Sequence, residues 1–157
     1  MLIHHIVKIP GEPEGNRRPR GRTIRTGTDE WGEAIYSCRM HKHEADRLYQ
    51  QMVQDIWCLT TQIKPAGKGV PVEVKIHAVH QLPESMSEKK RRELYGKPCT
   101  KKPDADNIAK NILDALTHSG KAWTDDSQVT LLHTEKRWAN PGEEAHVRVE
   151  VSWDDGE

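Results

Sequence analysis

An α+β domain, with a mixed β-sheet packed against two main helices, is the fold class this sequence predicts. Three observations carry the expectation. Val70, Val72, Val74, Ile76 and Ala78 alternate with Pro71, Glu73, Lys75 and His77, the two-residue period of a half-buried strand. Ala45, Leu48, Tyr49, Met52, Ile56 and Leu59 recur at three- and four-residue steps, the period of an amphipathic helix that turns one stripe to a core. The order strand, helix, strand, helix, strand, strand then suits a mixed sheet rather than a bundle or a sandwich.

Taken in order, Leu2–Pro10 reads as a first strand ended by Gly11, Pro13 and Gly15. Asn16–Thr28 is rich in Arg and Gly and reads as a loop or ragged hairpin, with Pro19 biasing Arg18 away from helix. Ala34–Cys38 is a short strand, and Lys42–Leu59 is the amphipathic helix. The Pro65–Gly69 break precedes the alternating strand over 70–78. Residues 81–102 form a long basic loop with one helical turn around Ser87–Tyr95, and loops of that length are often functional. Pro103 and Gly120 bracket a helix over Asp104–His118. Val129–Trp138 and Ala145–Trp153 are strands joined by the turn Asn140-Pro141-Gly142. With no repeat and no second core, one domain is expected over 1–157, carrying basic loops at about 11–28 and 81–102.

The composition agrees. A chain of 157 residues can bury a core, and 34% hydrophobic against 31% charged residues implies a modest one with solvated loops. Phe is absent, so five Trp and three Tyr supply the bulk. No run approaches the roughly 18–20 apolar residues of a membrane span. His4, His5 and Lys8 interrupt the apolar start, which does not read as a secretory leader. Cys38, Cys58 and Cys99 are odd in number and far apart, which points to a reducing, cytoplasmic setting.

A formal net charge of zero hides two basic stretches. Lys8, Arg17, Arg18, Arg20, Arg22 and Arg25 face only Glu12 and Glu14 within residues 1–27. Lys89, Lys90, Arg91, Arg92, Lys97, Lys101 and Lys102 face only Glu93 within 89–102. Separate basic segments in a neutral chain suit phosphates, although either alone also reads as a solvated loop.

Chemistry concentrates in Lys102-Pro-Asp-Ala-Asp-Asn-Ile-Ala-Lys110. Asp104 and Asp106 are two apart, so an extended lead into the helix projects both carboxylates to one side. Asp106, Lys110 and Asp114 then follow at four-residue steps along one helical face, while Ile108, Ile112, Ala115 and Leu116 can bury the other. If helix and following strand are neighbours, Asp125 or Asp126 can approach the first two acids. Two carboxylates about 4 Å apart repel by about 4 kcal/mol at an effective dielectric of about 20, a conflict that a divalent cation removes. Hard oxygen donors suit Mg²⁺, which can activate water and polarise a phosphate, and Lys110 can neutralise charge developing there. Bland readings stand beside these: Asp caps helices, Asp106 and Lys110 make an ordinary i,i+4 pair, and Asp125-Asp126 suits a turn. An EF-hand loop from Asp104 fails, because Ala109 and Ala115 stand where Gly and Glu are needed. No Cys lies at zinc spacing from the His pairs, and no P-loop, dinucleotide or Gly-x-Ser-x-Gly motif is present.

Lys102-Pro-Asp-Ala-Asp-Asn-Ile-Ala-Lys110, then Asp114-Ala-Leu116, then Asp125-Asp-Ser-Gln-Val129 resembles the signature of the RusA-type Holliday-junction resolvases of bacteria, prophages and phages. Ile9-Pro-Gly-Glu-Pro13, Arg18-Pro-Arg20 and Lys136 are similar to further positions of that family. The resemblance implies a homodimeric α+β nuclease of DNA recombination and repair that nicks two strands of a four-way junction symmetrically with Mg²⁺. It places the metal on Asp104, Asp106 and Asp126 and a catalytic lysine on Lys110, with Asp125 the weaker acid and Asp114 supporting. Arg17, Arg18, Arg20, Arg22, Lys101 and Lys102 would meet DNA phosphates. The sequence leaves open whether Mn²⁺ substitutes. The rival readings are a nuclease of other branched-DNA specificity and a non-catalytic DNA-binding module.

Overall fold

In the computed structural model, which describes residues 1–16, 20–41 and 44–156, the alternating and helical periods become a four-stranded sheet with helices on one face. The order is β1 (Leu2–Pro10), β2 (Arg20–Thr28), β3 (Ala34–His41), α1 (Glu44–Thr60), β4 (Val72–His80), α2 (Glu88–Leu94), α3 (Ala105–Ser119), a 3₁₀ turn (Asp126–Gln128), β5 (Val129–Trp138) and β6 (His146–Asp154). The fold is α+β, as expected, and α1 and α3 are its main helices. Among the described residues no helix is long and apolar enough to cross a membrane.

The main sheet runs β1-β6-β4-β5, while β2 and β3 pair separately as a hairpin. β6 lies antiparallel to both β1 and β4, whereas β4 and β5 are parallel, with Val72 opposite Val129 and His80 opposite Trp138. Parallel neighbours need a crossover, which α3 provides. Val72, Val74, Ile76 and Ala78 on β4 pack with Val147, Val149 and Val151 on β6 and with Ile108, Ile112, Ala115 and Leu116 on α3. The apolar stripe predicted for α3 is thus the buried one.

Some boundaries and one face differ from the sequence reading. Of the two forms expected over 16–28, a loop or a ragged hairpin, the described part is the hairpin: Arg20–Thr28 pairs with β3 with a register shift between Arg25 and Gly27, and β3 runs three residues beyond Cys38. The basic 81–102 stretch holds α2, capped by the Ser87 hydroxyl, which accepts from the Lys90 N–H at 3.4 Å. The stripe assigned to α1 is rotated. Leu48 and Leu59 are 63% and 83% exposed, and the buried residues are Asp46, Tyr49, Gln50, Val53 and Trp57. Two polar members hide that face from a hydrophobic count. Gln50 can be buried because its Nε2 donates to Asn111 Oδ1 on α3 at 2.7 Å, while Asn111 Nδ2 donates in turn to Glu14 O.

At the far end of β5, Glu143 grips the Arg137 guanidinium at 2.5 and 2.7 Å and accepts the Asn140 N–H at 2.9 Å. Arg137 in the first place holds the Glu143 carboxyl down at about 2, against an ordinary 4.5. The folded value lies below the unfolded one, so the stabilisation is full above pH 4.5 and is lost as pH falls toward 2. With both side chains partly exposed, Glu143→Gln is expected to cost about 1–2 kcal/mol at neutral pH and to flatten stability against pH between those limits. Urea titrations at pH 7 and pH 3 check it; equal losses at both would refute the coupling.

Candidate active site

The site builds where β4 and β5 end. There the chain leaves β1, crosses this end of the sheet and straps onto α3. Asn16 N donates to Asn107 O, Asn111 Nδ2 donates to Glu14 O at 3.2 Å, and Asn16 Nδ2 donates to Asp114 at 2.8 Å. Gly15 is required by space: a Cβ there would lie 2.6 Å from Pro103 Cβ. The result is a cleft of about 360 Å³ lined by Glu14, Gly15, Asn16, Lys102, Pro103, Asp104 and Asn107. It lies at the carboxyl ends of parallel strands, where crossover connections leave room for ligands.

Asp104 occupies the N-cap position of α3 in extended backbone (φ −68°, ψ 150°), yet its side chain makes no capping hydrogen bond. Asp106 sits in the first turn and Lys110 one turn further, and all three are exposed. The helix N-terminus favours these negative charges. The ordinary capping explanation for Asp104 therefore does not apply, and its carboxylate remains available beside Asp106. Asp114 is half-buried and engaged by Asn16, a support for the strap rather than a member of the acid pair.

Asp126 stands elsewhere. It precedes β5, level with the start of β4, and the turn is stapled there by Gln128, whose amide donates to Gly67 O at 2.8 Å and Val70 O at 3.0 Å. Asp104 lies at the opposite end of α3, whose 15 residues span about 22 Å. One protomer therefore does not bring Asp126 to Asp104 and Asp106. Among the described residues no three His, Cys, Asp or Glu side chains gather so as to hold a metal. Asp125 is consumed locally: its carboxylate accepts the Ser127 N–H at 2.8 Å within a capping box closed by Gln128. The Ser127 contacts hold its pKa below the ordinary carboxylate value. Of the two adjacent acids, Asp126 is the one not used as the cap.

Lys102 lines the cleft and Lys101 adjoins it, with the Lys136 ammonium donating to the Lys101 carbonyl from β5. Arg20 and Arg22 fall on β2, whereas Arg17 and Arg18 lie outside the described residues. Composition alone did not single out His80. It is 1% exposed at the end of β4, with Nδ1 3.2 Å from Glu12 Oε2, and Glu12 also accepts the Gln81 N–H at 2.9 Å. Burial pushes the His80 pKa down; Glu12 opposes this, while Lys136 and Lys101 reinforce it. The His80–Glu12 contact thus ties the strap to the sheet. In the sequence His80 figures only in the His77/His80 pair, set aside because no Cys stands at zinc spacing from it.

Comparison with known proteins gives the family. The family model described as endodeoxyribonuclease RusA matches residues 10–152, which include the strap, the acid pair, Lys110 and the acidic turn. A Bacillus subtilis (strain 168) protein, printed as "Uncharacterized protein YqaN", is 32% identical over 148 residues, covering 91% of this chain and 92% of its own length. The family match carries the activity class with it, a nuclease acting on DNA junctions. This chain belongs to the RusA endodeoxyribonuclease family.

Proposed function

We propose that the protein is a Mg²⁺-dependent endonuclease that resolves four-way DNA junctions by paired symmetric nicks, acting as a homodimer. The observation that carries the reading is Asp104: an acid at a cap position that does not cap, beside exposed Asp106, on a cleft flanked by Lys101 and Lys102. Two carboxylates with water in the remaining positions are a usual cradle for Mg²⁺, so these donors fit that ion. When bound, the metal supplies Lewis acidity and an activated water for in-line phosphodiester hydrolysis. Asp104 and Asp106 would hold it; Lys110 would stabilise charge building on the phosphate, and Lys101 and Lys102 would seat the flanking phosphates.

Asp126 joins the reading through a second copy. β5 is an edge strand, and residues 97–99 cover its outer side only near Lys136–Trp138. Leu131 and Leu132, on the uncovered half, are 44% and 47% exposed. An open edge with exposed leucines is a pairing site. Antiparallel pairing of two such edges reverses strand direction, so the start of one β5, with its Asp126, lies toward the end of the other, beside Asp104. A two-fold dimer then carries two equivalent three-acid sites, suited to two symmetric nicks.

Cleavage of a synthetic four-way junction, beside flap and linear duplex, tests the proposal. Metal-dependent paired nicking of the junction, stopped by EDTA, is the expected result. Tight junction binding without cleavage under any divalent ion would leave a binding module in place of the enzyme.

A further inference from the structure

The β2–β3 hairpin is the part of the molecule that the nuclease chemistry leaves unused. It forms its own two-stranded sheet, apart from the main one. Two-stranded hairpins are marginal alone in water, and this one keeps large apolar groups outside: Trp31 is 80% exposed, Tyr36 63% and Ile35 47%. The tip is nevertheless well built. Asp29 accepts the N–H groups of Trp31 and Glu33 at 2.9 and 2.8 Å, its own N–H donates to Glu33 O, and Gly32 takes φ +85° to donate back to Asp29 O. Four hydrogen bonds therefore fix the backbone that carries a solvent-facing indole. A rigid turn presenting a bare aromatic suits stacking on a partner.

Charge says what the partner is. Arg20, Arg22 and Arg25 lie on β2 and Arg39 on β3, with Arg22 opposite Arg39 and Arg20 opposite His41 in the pairing register. Four arginines and no acid on the two paired strands make the stem a cationic element, suited to a polyanion. At the tip the balance reverses: Glu30 and Glu33 flank Trp31 and repel phosphate, so the indole suits base faces rather than the backbone. Position agrees. Asn16 is bonded to Asn107 beside Asp104, and four peptide steps, at most about 14 Å, separate it from Arg20. From there nine residues of β2 reach about 30 Å.

We infer that this hairpin is a DNA-grasping arm: its arginine-bearing stem follows backbone phosphates, and Trp31 at its tip, with Tyr36 behind it, stacks on bases exposed at a branch point. The inference rests on the branched-DNA nuclease reading and adds to it the element that distinguishes a branch from plain duplex. Duplex bases are already stacked, whereas a branch offers open faces on which an aromatic gains.

The test uses the full chain in EDTA, a four-way junction carrying 2-aminopurine at the branch, and a linear duplex. Trp31→Ala should weaken junction binding about ten-fold or more and abolish the fluorescence change seen with wild type, while duplex affinity changes less than about two-fold. Trp31→Phe should restore most of the loss. Arg25→Ala should weaken both substrates and lower the salt dependence. Junction binding unchanged in both Trp31→Ala and Tyr36→Ala overturns the arm and leaves the nuclease reading intact. A Trp31→Ala variant that loses dimers in sedimentation while binding junctions normally also overturns it, in favour of a second copy as the occupant. Wild type that binds no junction overturns both.

Discussion

Asp106→Asn is expected to leave the protein folded and bound to junction DNA while lowering cleavage by at least about a thousand-fold, the scale on which aimed charges contribute to a transition state. The replacement has the same shape, and the side chain is exposed, so no cavity or buried orphan results. What is lost is one of the two carboxylates at the start of α3, and with it a hard anionic donor. A small cost to stability comes from the helix, because Asp106 lies in the first turn, where a negative charge contributes about 0.3–1 kcal/mol. A urea titration separates that cost from catalysis. Junction affinity in EDTA should hold or tighten, since a charge that repels phosphate has gone. Single-turnover cleavage within ten-fold of wild type would mean that Asp106 serves only the charge balance of the helix N-terminus.

The sequence made the strands and α3 legible because their periods are carried by apolar residues whose burial is unambiguous: Val72–Ala78 on β4, Ile108–Leu116 on α3. It failed where burial is polar. The α1 face was misplaced because Asp46 and Gln50 line the buried side, and only the Asn111 contact across to α3 explains why Gln50 can be there. The ragged hairpin was legible from its Arg- and Gly-rich run and the short strand after it, but the length of its pairing was not, because Arg39–His41 adds no alternation to Ala34–Cys38. In the candidate site, the mutual placement of Asp104, Asp106 and Lys110 was legible because the first two turns of one helix hold them. Asp126 was a different matter. Local spacing says that an acidic turn follows the helix, but whether it returns to the helix start depends on the direction of β5. Parallel pairing with β4 puts it at the far end. His80 and Glu12 are 68 positions apart and meet only through the end of the sheet.

That parallel arrangement makes subunit mixing the decisive measurement. Asp106→Asn and Asp126→Asn homodimers are each expected to be inactive, because every site in either one lacks an acid. In a mixed dimer the defects redistribute if the third acid crosses between copies. One site receives both, and the other pairs intact Asp104 and Asp106 with an intact partner Asp126. Random mixing makes half of the dimers mixed, each with one working site of two, so about a quarter of wild-type nicking should return. The product should change as well. One working site nicks a single strand, so nicked junctions should accumulate in place of paired linear duplexes. A site assembled within one chain predicts the opposite, because each protomer of the mixed dimer then carries its own defect and no activity returns. Since α3 alone separates the two groups of acids by about 22 Å, restored nicking is the expected result. Failure of complementation, with mixed dimers demonstrated by differently tagged subunits, would remove Asp126 from the site and leave Asp104, Asp106 and Lys110 to act without it.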